Sequence, residues 1–139
     1  MTDQHSVLSI VIPFYNEEES IEMVCDEVHH VLSCEKGLTW EIIMVNDGSN
    51  NKIPQIMDGL VQKYENFRAV HVSPNSGQFA ALQAGFDAAK GDLIATMDGD
   101  GQNDPRDIPL LLRALKMDEP CHYLSLSWFI FFIGSYITK

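Results

Sequence analysis

Apolar residues along this chain fall into two alternating rhythms. Val7 to Pro13 is a short, nearly unbroken apolar run of the kind that forms a strand buried on both faces. Ile21, Val24, Val28, Val31 and Leu32 then recur at helical spacing. The same alternation repeats three times. Trp40–Val45 predicts a second strand, and Ile56, Leu60 and Tyr64 predict a helix entered through Pro54. Arg68–Val72 predicts a third strand, and Phe79, Leu82, Phe86 and Ala89 a third helix face. Asp92–Met97 predicts a fourth strand and Pro105–Met117 a fourth helix. Asn16 suits the N-cap of the first helix, with Glu17 to Glu19 in the first turn, where the helix dipole favours negative charge. Gly37 closes that unit, and Gly91 suits the C′ position after the third helix.

Strand and helix in strict alternation imply an α/β fold: a Rossmann-like, mostly parallel sheet with right-handed crossovers. In such a sheet all strand carboxyl ends share one edge, and ligands bind outside it. Each strand here runs into polar residues: Tyr15, Asn16 and Glu17; Asn46, Asp47, Gly48 and Ser49; Ser73, Asn75, Ser76 and Gly77; Asp98 and Asp100. Turn chemistry accounts for part of this, since Asn, Asp, Ser and Gly are turn formers. Four polar strand ends together point to a ligand edge.

Charge narrows the ligand. Nine basic residues against twenty acidic ones in 139 give a net charge of −11. That argues against nucleic acid as a partner, because phosphate backbones need basic patches. Three cysteines, at 25, 34 and 121, form no C-x-x-C and no even set. They fit neither a disulfide framework nor a zinc site and suggest a reducing, cytoplasmic setting. Cys25 falls on the apolar stripe of the first helix. His29 and His30 are adjacent, so they point to different sides of that helix and read as surface residues. The first residues carry no basic segment and no long apolar run, which predicts no signal peptide.

The densest charge lies in "ATMDGDGQNDP", residues 95–105, where Asp98, Asp100 and Asp104 have only Arg106 as a nearby cation. In an extended segment the side chains of Asp98 and Asp100 share one side. Two carboxylates so placed repel, and one takes up a proton unless a cation intervenes. Hard oxygen ligands select Mg²⁺ or Mn²⁺, and Mg²⁺ fills its shell with water and substrate phosphates. A metal-bound diphosphate follows as the hypothesis. A calcium loop fails because Gln102, Asn103 and Pro109 stand where the motif needs other residues. A haloacid-dehalogenase-type phosphotransferase, with Asp98 as nucleophile, matches Asp98-Gly99-Asp100-Gly101 but not Gln102. A plain Asp-Gly turn without metal also remains open.

Taken together, "VLSIVIPFYNEEESI", "EIIMVNDGSNN" and "NSGQFAALQAGFDAAKGDLIATMDGDGQNDP" resemble family 2 glycosyltransferases of GT-A fold, over about residues 7–116. The resemblance is strongest to enzymes that move sugars onto polyprenyl phosphates, such as dolichol-phosphate mannosyltransferases and undecaprenyl-phosphate sugar transferases. It implies transfer from a nucleotide-diphosphate sugar donor to an acceptor, with a lipid phosphate expected. It places Pro13, Tyr15 and Glu17 in the first nucleotide-binding loop, Asp47 at the base, and Asn75 and Gly77 in the loop before the third helix. Asp98 and Gly99 fall at the donor diphosphate, and Asp98, Asp100 and Gln102 at a Mg²⁺ or Mn²⁺. It assigns no catalytic base, and a lipid-phosphate acceptor, already anionic, needs positioning rather than a base. Contact with a membrane surface, at its cytoplasmic face, and a homo-oligomer stay open.

Family members run well beyond this length. Residues 1–118 correspond to the donor half, and 119–139 match no motif of the family. Pro120–Thr138 carries no formal charge unless His122 is protonated, and its dense apolar part, Trp128–Ile133, is short for a membrane span. It reads equally as an interfacial segment, a buried strand or an abnormal terminus. The chain therefore reads as a truncated transferase, active or inactive, or as a nucleotide-sugar-binding remnant without turnover.

Overall fold

The computed structural model describes residues 7–50, 52–116 and 131–133. Its elements are β1 (Val7–Phe14), α1 (Ile21–Ser33), β2 (Thr39–Asp47), α2 (Ile53–Lys63), β3 (Phe67–Val72), α3 (Gln78–Ala88), β4 (Leu93–Thr96), α4 (Asp107–Lys116) and β5 (Phe131–Ile133). The sheet order is β3-β2-β1-β4-β5. β1 to β4 are mutually parallel, and β5 runs antiparallel to β4. The expected α/β fold with a mostly parallel sheet is therefore observed. Of the tail at 119–139, only the β5 backbone is described, as an edge strand; the rest of that segment, like Met117, lies outside the described residues.

β1 shows why the sheet is covered on both sides. Leu8, Ile10, Ile12 and Phe14 point to one face and pack with Val24, Val28 and Leu32 of α1, Met57 and Leu60 of α2, and Ile108 and Leu111 of α4. Val11 points to the other face, with Ile43, Val45 and Ile94, against Ala81 of α3. The period of two along the strand separates the two cores. The α3 contact is close: a Cβ on Gly85 would stand 2.3 Å from Val11 Cγ1 and 3.1 Å from Val45 Cγ2. Ala81 and Gly85, one turn apart, form the buried line of α3, with Leu82 and Phe86 partly buried beside it. Phe79, expected on that face, is 91% exposed instead.

Other expectations shift for identifiable reasons. Asn16 does not cap α1: it takes a left-handed conformation (φ 53°), and Ser20 holds the cap position. Asn tolerates that region, and its side chain is used to stitch two loops together. Glu17 to Glu19 consequently precede the helix, leaving Glu22 as the acid of its first turn. Gly91 is not a left-handed helix end. It is small because the chain there crosses β1: its N–H donates to Ser9 Oγ at 2.8 Å, and a Cβ would meet Val7 O at 2.7 Å. Buried Ser9 in turn donates to Glu41 Oε1, and Glu41 pairs with Arg68 at 2.9 Å. His29 is partly exposed and stacks on Tyr64, with ring centroids 4.2 Å apart, next to Trp40 and Phe67. Cys25 is buried as expected, and burial pushes its thiol up to about 12; Cys34 is exposed.

Gly85→Ala should overfill the α3–sheet contact. Overpacking costs about 1–3 kcal/mol, partly offset by the better helix propensity of alanine. Urea denaturation should report a net loss of about 1–2 kcal/mol; unchanged stability would show that the helix does not approach the sheet this closely.

Candidate functional site

β1 lies between β2 and β4, so the chain reverses direction along the sheet on either side of it. The crevice at such a switch point is where open α/β sheets bind ligands. A cleft of about 430 Å³ lies there, lined by Pro13, Phe14, Tyr15, Glu17, Asp47, Asn75, Gly77, Gln78, Asp98, Gly99 and Asp100. Residues from all four strand ends meet in it. Gln102 alone of the expected set does not reach it. It is exposed and lines a separate cavity beside α1 with Asn103 and Asp104, because the chain turns back at Gly101 (φ +80°).

The cleft walls are tied to one another. Asp47, 4% exposed, accepts from the Ser76 N–H through Oδ1 at 3.0 Å and from Asn75 Nδ2 through Oδ2 at 3.1 Å. Asn75 Nδ2 also donates to Asp47 O at 2.8 Å. Gly48 follows at φ +67°, where a Cβ would fall 2.3 Å from Asn75 N. Asn46 Oδ1 accepts from the Ser49 N–H, and Ser49 Oγ accepts from the Asn16 N–H at 3.0 Å. Asn16 Oδ1 accepts from the Asn50 N–H, which joins the β1 and β2 loops. Tyr15 stands half exposed at the rim.

The acidic segment is a turn and not the extended piece the sequence suggests. β4 stops at Thr96, and Gly99 and Asp100 lie in a turn beyond it. Asp100 Oδ1 accepts from the Gln102 N–H at 3.0 Å, and Asp98 lies at a long 3.4 Å from Gln78 Nε2. Gly99 is pressed against the floor: a Cβ there would meet Phe14 Cδ1 at 2.4 Å and Glu17 Oε2 at 2.6 Å. Arg106, the one cation near this stretch in sequence, is held by Asp104, with Nη2 2.6 Å from Oδ2. That pairing lowers the Asp104 carboxyl.

The cleft therefore collects four carboxylates, Glu17, Asp47, Asp98 and Asp100, and among the described residues no Lys, Arg or His lines it. Burial, with Asp100 and Asp98 adding repulsion, pushes Glu17 up to about 7. Its Oε2 is buried with no hydrogen-bond partner. Burial and then Asp100 raise Asp98 as well. Among the described residues no three His, Cys, Asp or Glu side chains form a closed metal cage. An open site with two carboxylates, completed by phosphate and water, is the mode in which Mg²⁺ and Mn²⁺ bind with a nucleotide. Asp98 and Asp100 fit that requirement. Phe14, Gln78, Ser20 and Asn103 belong to this region and were missed in the sequence. Phe14 reads as core, and the other three act through contacts that spacing does not encode.

A doubly wound α/β sheet with an acid-lined cleft at its switch point defines the class as a Rossmann-like ligand-binding domain. Comparison with known proteins narrows it. The Glycosyl transferase family 2 model matches residues 9–130, and the chain belongs to that family. It is 40% identical over 114 residues to undecaprenyl-phosphate 4-deoxy-4-formamido-L-arabinose transferase of Pectobacterium atrosepticum, covering 81% of this chain and 34% of that protein. It is 41% identical over 113 residues to dodecaprenyl-phosphate galacturonate synthase of Rhizobium johnstonii, covering 81% and 33%. The chain thus spans about a third of the length of these curated relatives. Among solved structures, mannosyltransferase PcManGT from Pyrobaculum calidifontis, in complex with GDP-Man and Mn²⁺, superposes with a TM-score of 0.68 at 21% identity. That match covers 85% of this chain and 34% of that one. Glucosyl-3-phosphoglycerate synthase from Mycobacterium tuberculosis, in complex with Mn²⁺, UDP and glucosyl-3-phosphoglycerate, gives 0.63 at 28%, covering 82% and 41%. The GT-A fold follows, and the family match sets the phosphotransferase reading aside.

Glu17 gives the metal-free protein a pH signature. Its folded value of about 7 lies above the ordinary 4.5, so between these values the folded state holds more protons than the unfolded one. Stability from this group is full below pH 4.5 and falls as pH rises through 7. In EDTA, the thermal midpoint should decline across that window, and Glu17→Gln should flatten the decline. An equal slope in both proteins would show that Glu17 ionises normally.

Proposed function

We propose that this domain binds a nucleotide-diphosphate sugar in the cleft, together with Mg²⁺ or Mn²⁺ held by Asp98 and Asp100. We infer that the protein transfers the sugar to a polyprenyl phosphate at the cytoplasmic face of a membrane. The observation that carries the reading is the cluster of four carboxylates at the switch point, with no basic residue among the described residues that line the cleft. Such a cluster is costly unless a cation joins it. The names of the curated relatives support the acceptor class. No helix among the described residues is long and apolar enough to cross a membrane.

Each residue has a role in this reading. Tyr15 offers a half-exposed ring for the base. Asp47 has its carboxylate fixed by Asn75 and Ser76 and retains lone pairs for a base N–H. Pro13, Asn75 and Gly77 shape the walls on either side. Gly99 lets the turn beside the diphosphate site sit against Phe14 and Glu17, where a side chain has no room. A bound divalent ion would act as a Lewis acid, neutralising charge on the leaving diphosphate. A lipid-phosphate oxygen is already anionic, so the domain needs to hold the donor and exclude water rather than supply a strong base.

Titration of UDP- and GDP-sugars with and without Mn²⁺ tests the donor site. Binding should require the metal, and Asp100→Ala should weaken it at least ~10-fold. Metal-independent binding, or affinity untouched by Asp100→Ala, would refute the assignment. Transfer of labelled sugar to polyprenyl phosphate in vesicles tests the acceptor.

A further inference from the structure

Two polar side chains grip the acidic turn from opposite sides. Ser20 sits at the N-cap of α1, where a serine normally bonds the first N–H groups of its own helix. It makes no such bond. Its Oγ–H donates instead to Gly99 O at 2.7 Å, 79 residues away in the chain, with Glu17 O at 3.3 Å as a weaker acceptor. On the other side, Asn103 Oδ1 accepts from the Asp98 N–H at 2.8 Å. Asn103 is 4% exposed, and its Nδ2 is buried with no partner. An unpaired buried donor is destabilising. Its retention is explained if the other end of the amide serves Asp98. A local rule broken at each of two residues, both on the same turn, is the pattern expected at a functional site.

The two bonds act on the peptide planes that flank the Asp98–Gly99 peptide on either side. The Asp98 N–H belongs to the plane before Asp98, and the Gly99 carbonyl to the plane before Asp100. Between them stands Gly99, which must lack a side chain to fit against Phe14 and Glu17. Glycine also makes the link between the two acids soft. We propose that Ser20 and Asn103 are positioning residues that clamp the Asp98–Gly99–Asp100 backbone. The clamp presets the relative orientation of the two carboxylates for a divalent cation and its diphosphate. The inference rests on the donor-site reading above and adds what makes that site rigid despite its glycine.

The experiment measures Mn²⁺ uptake by the 139-residue chain, from loss of the free-ion electron paramagnetic resonance signal, with UDP and separately with GDP present. Melting curves in EDTA run in parallel. Ser20→Ala and Asn103→Leu should each weaken Mn²⁺ uptake roughly tenfold. Ser20→Thr keeps the hydroxyl and Asn103→Asp keeps the acceptor, and both should restore uptake to near the wild-type level. A purely structural role would lower the melting midpoint and leave the Mn²⁺ affinity of the folded protein unchanged; that result overturns the clamp and leaves the donor site standing. Should the wild-type chain take up no Mn²⁺ with either nucleotide, the donor-site reading falls, and the clamp with it. If Ser20→Ala or Asn103→Leu fails to fold, the Thr and Asp variants decide: weakened uptake in both would overturn the proposal.

Discussion

β1 is hydrogen-bonded along both edges, to β2 from Val7 through Phe14 and to β4 from Leu8 through Val11. Because all three strands are parallel, their ends emerge at one side, but not at the same level. Phe14 is level with Asn46, whereas β4 ends with Thr96 opposite Val11. The chain after β4 therefore runs on beside the last residues of β1 instead of projecting past them. Counting three residues from each partner sets Gly99 beside Phe14, which is the contact observed. The register of one strand pair thus seats the acidic turn on the floor of the cleft and against Glu17. The two cores, the crossovers and the loop positions all follow from the same arrangement.

Electrostatics are arranged as deliberately as the packing. An acidic chain could have neutralised its acids locally, and at Asp104 it does, through Arg106. At Asp26 it does so through Lys63, and at Glu41 through Arg68. In the cleft the carboxylates share one lining, with no basic residue in it among the described residues. Negative charge is concentrated where a bound cation would relieve it. The raised Glu17 and Asp98 are the physical trace of that concentration.

Much of this was legible in the sequence because it depends on period and order. Buried strands and amphipathic helices announce themselves through apolar spacing, and a parallel sheet forces strand ends together. Pro13, Tyr15, Glu17, Asp47, Asn75, Gly77, Asp98, Gly99 and Asp100 consequently converge as expected. What depends on a single turn was not legible. Gly101 reverses the chain and carries Gln102 away from the cleft. Asn16 does not cap α1, and its side chain bonds to the β2 loop instead; Ser20 takes the N-cap position without a capping bond. The buried line of α3 follows its small residues, Ala81 and Gly85, since the helix lies too close to the sheet for large ones. Periodicity drawn through Phe79 could not anticipate that. The stacking of His29 on Tyr64 was not legible either, since the two lie 35 residues apart in the numbering.

Gly48 carries a consequence for recognition. Its backbone lies in a region that favours glycine, and Asn75 occupies the space a side chain would need. Asp47 and Asn75 bond across that contact, so the loops after β2 and β3 cannot shift independently. The cleft wall that these loops form is thus assembled when the chain folds. Entropy that a looser pair of loops would lose on meeting a ligand has already been spent in folding, and little of the interaction energy is diverted to ordering the protein. One missing side chain thereby sets the thermodynamic character of binding at a wall it does not itself line.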